Sequence, residues 1–165
     1  MRQLFCLLGL LPVFAWAIEP NSREPDAQWA YKTVDGKDFL MDVFLPAGYQ
    51  DAEGSYPVMV IFHGGSWAGG ETNWHWPDGN LWAKRGMVAV SVDYRLRHRD
   101  QVKVPLECVK DAKSAIRYLR ANAKKLKIDP SRVVAMGDSA GGQLAAATAT
   151  LTNPETNDDC YDLSI

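Results

Sequence analysis

The sequence predicts an α/β fold built on a mostly parallel sheet with helices on both faces. Three observations predict it. Short apolar runs without polar members, such as Val58-Met59-Val60-Ile61-Phe62, read as strands buried on both faces. One charged segment carries an apolar stripe at three- and four-residue steps. The two kinds of segment alternate, which implies parallel strands joined by right-handed crossovers.

The elements follow in order. Tyr31 to Val34 and Phe39 to Leu45 are β-rich runs joined by Asp35-Gly36, a hairpin turn signal. In the second run only the face of Met41, Val43 and Leu45 is cleanly apolar, because Asp42 shares the other with Leu40 and Phe44. The apolar run after Pro57 gives a buried strand and leads into a loop rich in Gly and Trp, from His63 to about Gly79. Asn80 to Arg85 suggests a short helix stopped by Gly86, and Met87 to Val92 a second buried strand. Asp93 to Lys103 is polar and basic and is expected as a surface loop. Pro105 to Ala123 is the clearest helix, with Leu106, Val109, Ala112, Ile116, Leu119 and Ala123 on one stripe and Pro105 suited to the first turn. Asp129-Pro130 marks a turn, Arg132 to Met136 a third buried strand, and Gly141 to Leu151 an Ala-rich helix ending near Asn153-Pro154.

The chain has 165 residues, of which 47% are hydrophobic and 23% charged, enough to build a packed core. The net charge of -2, with Lys and Arg dispersed, argues against nucleic acid as a partner. Met1-Arg2, the apolar run Leu4 to Val13 and Ala15-Trp16-Ala17 form a signal-peptide pattern, residues 1–17, with cleavage expected after Ala17. The apolar run is too short for a stable bilayer span, which argues against an uncleaved anchor, and the mature protein is expected to be secreted or periplasmic without stable membrane insertion. Cys6 sits too near the start, with no apolar stretch before it, to be a lipoprotein acylation site. Residues 18–28 read as a linker, leaving 29–165 for the domain. Export would permit a Cys108–Cys160 bridge, but two cysteines are no disulfide framework and match no metal motif.

Gly137-Asp138-Ser139-Ala140-Gly141 is a Gly-x-Ser-x-Gly pentapeptide set between a buried strand and a small-residue helix. In that setting a sharp turn lifts the serine over the sheet edge, and the helix start supplies N–H groups and a positive dipole end. Ser139 is the expected nucleophile. Gly137 and Gly141 let strand and helix approach, and Asp138 completes the motif. His63-Gly64-Gly65-Ser66-Trp67 directly follows the first buried strand. Glycines there let backbone N–H groups reach the oxyanion of an acyl-transfer transition state. The expected donors are Ala140, after the nucleophile, and Gly65, together with Gly64 or Ser66. His63 could act as general base, but its motif position reads rather as a loop brace. His75 and His98 read as surface residues. Trp67, Trp74, Trp76 and Trp82 crowd one stretch. Trp67, Trp74 and Trp76 could contact a sugar or an acyl chain, or simply pack the loop against the core.

These two motifs in this order resemble the α/β-hydrolase esterases, most closely the hormone-sensitive-lipase-like branch and its secreted carbohydrate-esterase relatives. Ser91 to Leu96, Asp111 to Leu119 and Ile128 to Arg132 carry the likeness further, from about Tyr31 to the end of the helix after Ser139. Ser66 departs from the third glycine of many members but keeps its N–H. The resemblance implies the α/β-hydrolase fold and hydrolysis of a small-molecule or carbohydrate ester, with short acetyl-like acyl groups, through an acyl-enzyme on Ser139. It implies no metal and no organic cofactor. It also implies an Asp or Glu and then a His downstream of the serine. All three histidines precede Ser139, and Asp158, Asp159 and Asp162 follow it too closely to be the expected acid. The chain is therefore read as the N-terminal half of such a domain, with C-terminal strands missing and inactive alone. A serine peptidase and a non-catalytic binding module on the same fold are the alternatives.

Overall fold

The computed structural model describes residues 23–152. The signal pattern, the start of the linker, Cys160 and the acidic tail lie outside the described residues. Five strands form one sheet: β1 (Ala27–Val34), β2 (Lys37–Phe44), β3 (Tyr56–Phe62), β4 (Val88–Val92) and β5 (Ile128–Gly137), in the order β1-β2-β4-β3-β5. β2 runs antiparallel to β1 and β4, while β3 is parallel to β4 and β5, so β2 alone opposes the other four strands. Helices α1 (Trp76–Lys84), α2 (Arg97–Asp100), α3 (Leu106–Ala121) and α4 (Ser139–Thr150) complete the described elements, with a 3₁₀ turn at Thr72–His75 leading into α1.

Alternation along the central strands sorts two cores. Val58, Val60 and Phe62 of β3 and Val88, Val90 and Val92 of β4 join the α3 stripe of Val109, Ala112, Ile116 and Leu119 in the larger core, with Leu144 of α4. Met59, Ile61 and Ala89 face the other way, onto Phe44 and Ala83 of α1. Helices thus cover both faces. β5 lies at one edge, where Val134 is half exposed and a crevice runs along Ile116, Val133, Met136 and Gly142.

Several boundaries differ from expectation for identifiable reasons. β1 begins at Ala27, inside the expected linker, because Ala27 and Gln28 pair with Val43 and Asp42. α1 begins four residues early, at Trp76, with Pro77 in its first turn, where a missing N–H costs nothing. β5 starts at Ile128 rather than Arg132. Its register jumps from Tyr56↔Ile128 to Val58↔Val133, so Asp129 to Arg132 bulge from the ladder. The Asp129 side chain holds that bulge, accepting from the Ser131 backbone at 2.9 Å and from Arg132 Nε at 2.7 Å.

The segment expected as a polar surface loop after Asp93 is only partly one. Tyr94 and Leu96 are buried, and the helical turn α2 follows. The cause is a buried ion network. Arg95 makes a fork to Asp111, with Nη2–Oδ1 at 2.7 Å and Nε–Oδ2 at 2.9 Å, and its Nη1 reaches Glu107 at 2.9 Å. Asp111 also takes Lys32 Nζ at 2.5 Å and the Arg95 backbone N–H at 2.9 Å. A bulge at Tyr31, where Ala30 pairs with Leu40 but Lys32 with Phe39, lets Tyr31 and Lys32 both turn inward.

Candidate active site

The register fixes the site. Phe62 pairs with Gly137, so His63 and Asp138 leave the sheet side by side at the same edge. Two loops 74 residues apart then touch: the Gly64 N–H donates to Asp138 Oδ1 at 2.8 Å. Gly141 packs directly on the end of β3, where a Cβ would strike the Phe62 carbonyl oxygen and lie 2.6 Å from that of His63. That close approach, rather than backbone freedom, is why glycine stands there.

Ser139 is exposed and has φ 48°, a left-handed conformation in a non-glycine residue. It opens α4, while Asp138 before it is extended at φ -108° and ψ 150°. This is the strained strand-to-helix bend that presents a side chain above the sheet edge. Ala140 lies in the first turn of α4, where backbone N–H groups have no partner within the helix. The glycine-rich loop is strained as well, with positive φ at Gly65 (107°), Ser66 (55°) and Trp67 (57°). It is closed by Ala68 and Gly69 N–H groups donating to the Gly65 carbonyl at 2.9 and 3.1 Å.

The expected donor set needs one correction. The N–H of Gly64 is already given to the Asp138 carboxylate, so it is a structural tie rather than an oxyanion donor. The N–H groups of Gly65 and Ser66 make no such bond among the described residues.

His63 is fully buried. Its ring stacks on Tyr94 with centroids 4.3 Å apart, and Trp74 meets it edge-on at 6.1 Å. Nδ1 donates to the Gly64 carbonyl at 2.7 Å, and Tyr94 donates its hydroxyl to the His63 carbonyl at 2.6 Å. No hydrogen bond joins it to Ser139 among the described residues; the ring braces the loop. Burial lowers its pKa below the ordinary 6.5, and proton uptake would put a charge on a buried Nε2 that has no partner. The unfolded chain therefore binds the proton more readily, so this contribution to stability is complete above pH 6.5 and falls as the pH drops below it. Urea midpoints between pH 8 and 5 should decline through that window in the native sequence and less steeply in His63→Gln.

The tryptophans divide. Trp67 packs against the larger core, and Trp76 packs on the smaller core while donating its indole N–H to buried Asp42 at 2.8 Å. Both are anchored in packing roles, as is Trp82. Trp74 is 56% exposed and is the one of the three candidates left with an open face.

His75 is not the surface residue expected. Its Nε2 donates to Asp138 Oδ1 at 2.9 Å and its Nδ1 lies 2.7 Å from Asp78 Oδ2, with the side chain 13% exposed. The bond from His75, together with the Gly64 N–H, holds the Asp138 carboxyl below its ordinary pKa. His98, in contrast, is exposed. Among the described residues no group of His, Cys, Asp and Glu is arranged to hold a metal ion, and no helix is long and apolar enough to cross a membrane.

A model of the BD-FAE family matches residues 41–164. The chain is 36% identical over 137 residues to carboxylesterase NlhH of Mycobacterium tuberculosis, covering 80% of this chain and 41% of that protein. Among solved structures it is similar to the propionate-bound esterase Est2 of the planctomycete Thermogutta terrifontis, at TM-score 0.78 and 39% identity, covering 88% of this chain and 52% of that one. The same esterase phosphorylated by paraoxon matches at TM-score 0.75 and 39% identity, over 82% of this chain and 51% of that one. The chain thus spans about half the length of the structures it matches.

Proposed function

We propose, for a chain that belongs to the BD-FAE family and has the α/β-hydrolase fold of the hormone-sensitive-lipase-like esterases, that Ser139 is the nucleophile of a carboxylic ester hydrolase. The observation that carries this reading is the strained, exposed Ser139 at the start of α4, tied by the Asp138–Gly64 bond to a glycine-rich loop. Ser139 Oγ attacks the ester carbonyl carbon and the N–H groups of Gly65, Ser66 and Ala140 hold the oxyanion. The alcohol then leaves with a proton, and water hydrolyses the acyl-serine to carboxylic acid and free serine. The general base and its acid come from outside the described residues. No histidine within them reaches Ser139, and the matched esterase structures are about twice as long.

The Est2 structure is propionate-bound, and Trp74 offers an open aromatic face beside the loop. We assign short acyl esters, including those of carbohydrates, as the substrates, and propose export by the N-terminal signal pattern. A panel of p-nitrophenyl esters, acetylated oligosaccharides and peptides should give the highest kcat/KM on acetyl to butyryl esters. Faster turnover of long-chain lipid esters would overturn the acyl assignment, and preference for peptides would overturn ester chemistry.

A further inference from the structure

We propose that His75 is a positioning residue that locks the oxyanion loop and the nucleophile turn into one register. Asp138 Oδ1 receives two donors at once, His75 Nε2 at 2.9 Å and the Gly64 N–H at 2.8 Å. Three separate segments therefore meet on one oxygen atom: the entry to α1, the end of β3 and the β5–α4 turn. Asp138 directly precedes Ser139, and Gly64 directly precedes Gly65, so a swing of this carboxylate displaces nucleophile and oxyanion donor relative to each other. Asp138 is 59% exposed and would rotate readily without a second tether. His75 supplies that tether, and Asp78, one turn on in α1, faces its other nitrogen at 2.7 Å and fixes the ring plane. The shortness of both contacts and the 13% exposure of the ring set this apart from an ordinary surface ion pair, which contributes little.

The proposal rests on reading Ser139 as the nucleophile, and its test is arranged so that the two can fail separately. Three variants of the full-length protein are compared. His75→Gln keeps a donor near the Nε2 position and so the bond to Asp138. His75→Asn places an amide near the Nδ1 position, beside Asp78, and leaves nothing to donate to Asp138. His75→Leu keeps neither. Phosphonylation by a fluorophosphonate, with loss of fluoride, should slow about tenfold or more in the Asn and Leu variants, the range expected when reacting groups are misplaced, and stay within about threefold in the Gln variant. Amide hydrogen exchange at Gly64 should accelerate in the same two variants and not in the third. Equal rates and equal exchange in all four proteins would overturn the proposal, as would an equal loss in all three variants. If the native protein takes no label, the nucleophile reading fails, and the Gly64 exchange pattern still decides whether His75 holds the loop.

Discussion

Ser139→Ala should lower kcat of the full-length protein by about 10⁶-fold, the loss typical when the nucleophile of a serine hydrolase is removed. KM should change little, because the oxyanion donors and the acyl-binding surface are untouched. The expectation follows from the bend itself. A φ of 48° holds a Cβ in an unfavourable conformation at a cost of about 1–3 kcal/mol, and the structure keeps that strain where β5 meets α4. Alanine retains the Cβ and the backbone, so thermal unfolding should stay close to that of the native protein while turnover vanishes. Initial rates on a p-nitrophenyl acetate series, with unfolding measured on the same samples, check both halves. A variant that kept more than a hundredth of the rate would place the nucleophile elsewhere.

Asp111→Ala should destabilise the fold by about 3–5 kcal/mol, because it removes the buried carboxylate that two buried cations share. Asp111 is fully buried, and Lys32 and Arg95 both converge on it. The loss would be a large share of the roughly 5–15 kcal/mol that a typical domain possesses. Function should suffer in turn. Arg95 is held by Asp111, its neighbour Tyr94 stacks on His63, and His63 braces the loop that offers Gly65 and Ser66. Asp111→Asn, which keeps the shape and an acceptor oxygen, should lose less. Urea denaturation measures the difference, and a loss below about 1 kcal/mol in Asp111→Ala would show that the network is not holding the fold.

Much of this arrangement was legible in the residues because it is local. The apolar run at Val58 to Phe62, the stripe from Val109 to Leu119 and the glycines flanking Ser139 each carry their own periodicity or turn chemistry, and the structure places them as strand, helix and bend. What escaped was set by partners distant in the chain. His75 binds a carboxylate 63 residues away, and nothing in Asn73-Trp74-His75-Trp76 signals it. Tyr94 and Leu96 stand among four basic side chains, so composition pointed to solvent, whereas Asp111 draws Arg95 inward and carries its neighbours with it. Asp111 lies beside the apolar stripe of α3 and looks like any surface carboxylate until Lys32 arrives from β1. The donation of the Gly64 N–H to Asp138 is of the same kind, since it depends on β3 and β5 being neighbours. The early start of α1 is different, because Pro77 is a helix-start signal present in the sequence itself.

Covalent capture tests the central claim most directly. The full-length protein is treated with paraoxon or a fluorophosphonate, digested, and the modified peptide sequenced by mass spectrometry. A single phosphoryl or phosphonyl adduct on Ser139, absent from Ser139→Ala, is the predicted result. An unmodified protein, or an adduct that persists in the alanine variant, would contradict it.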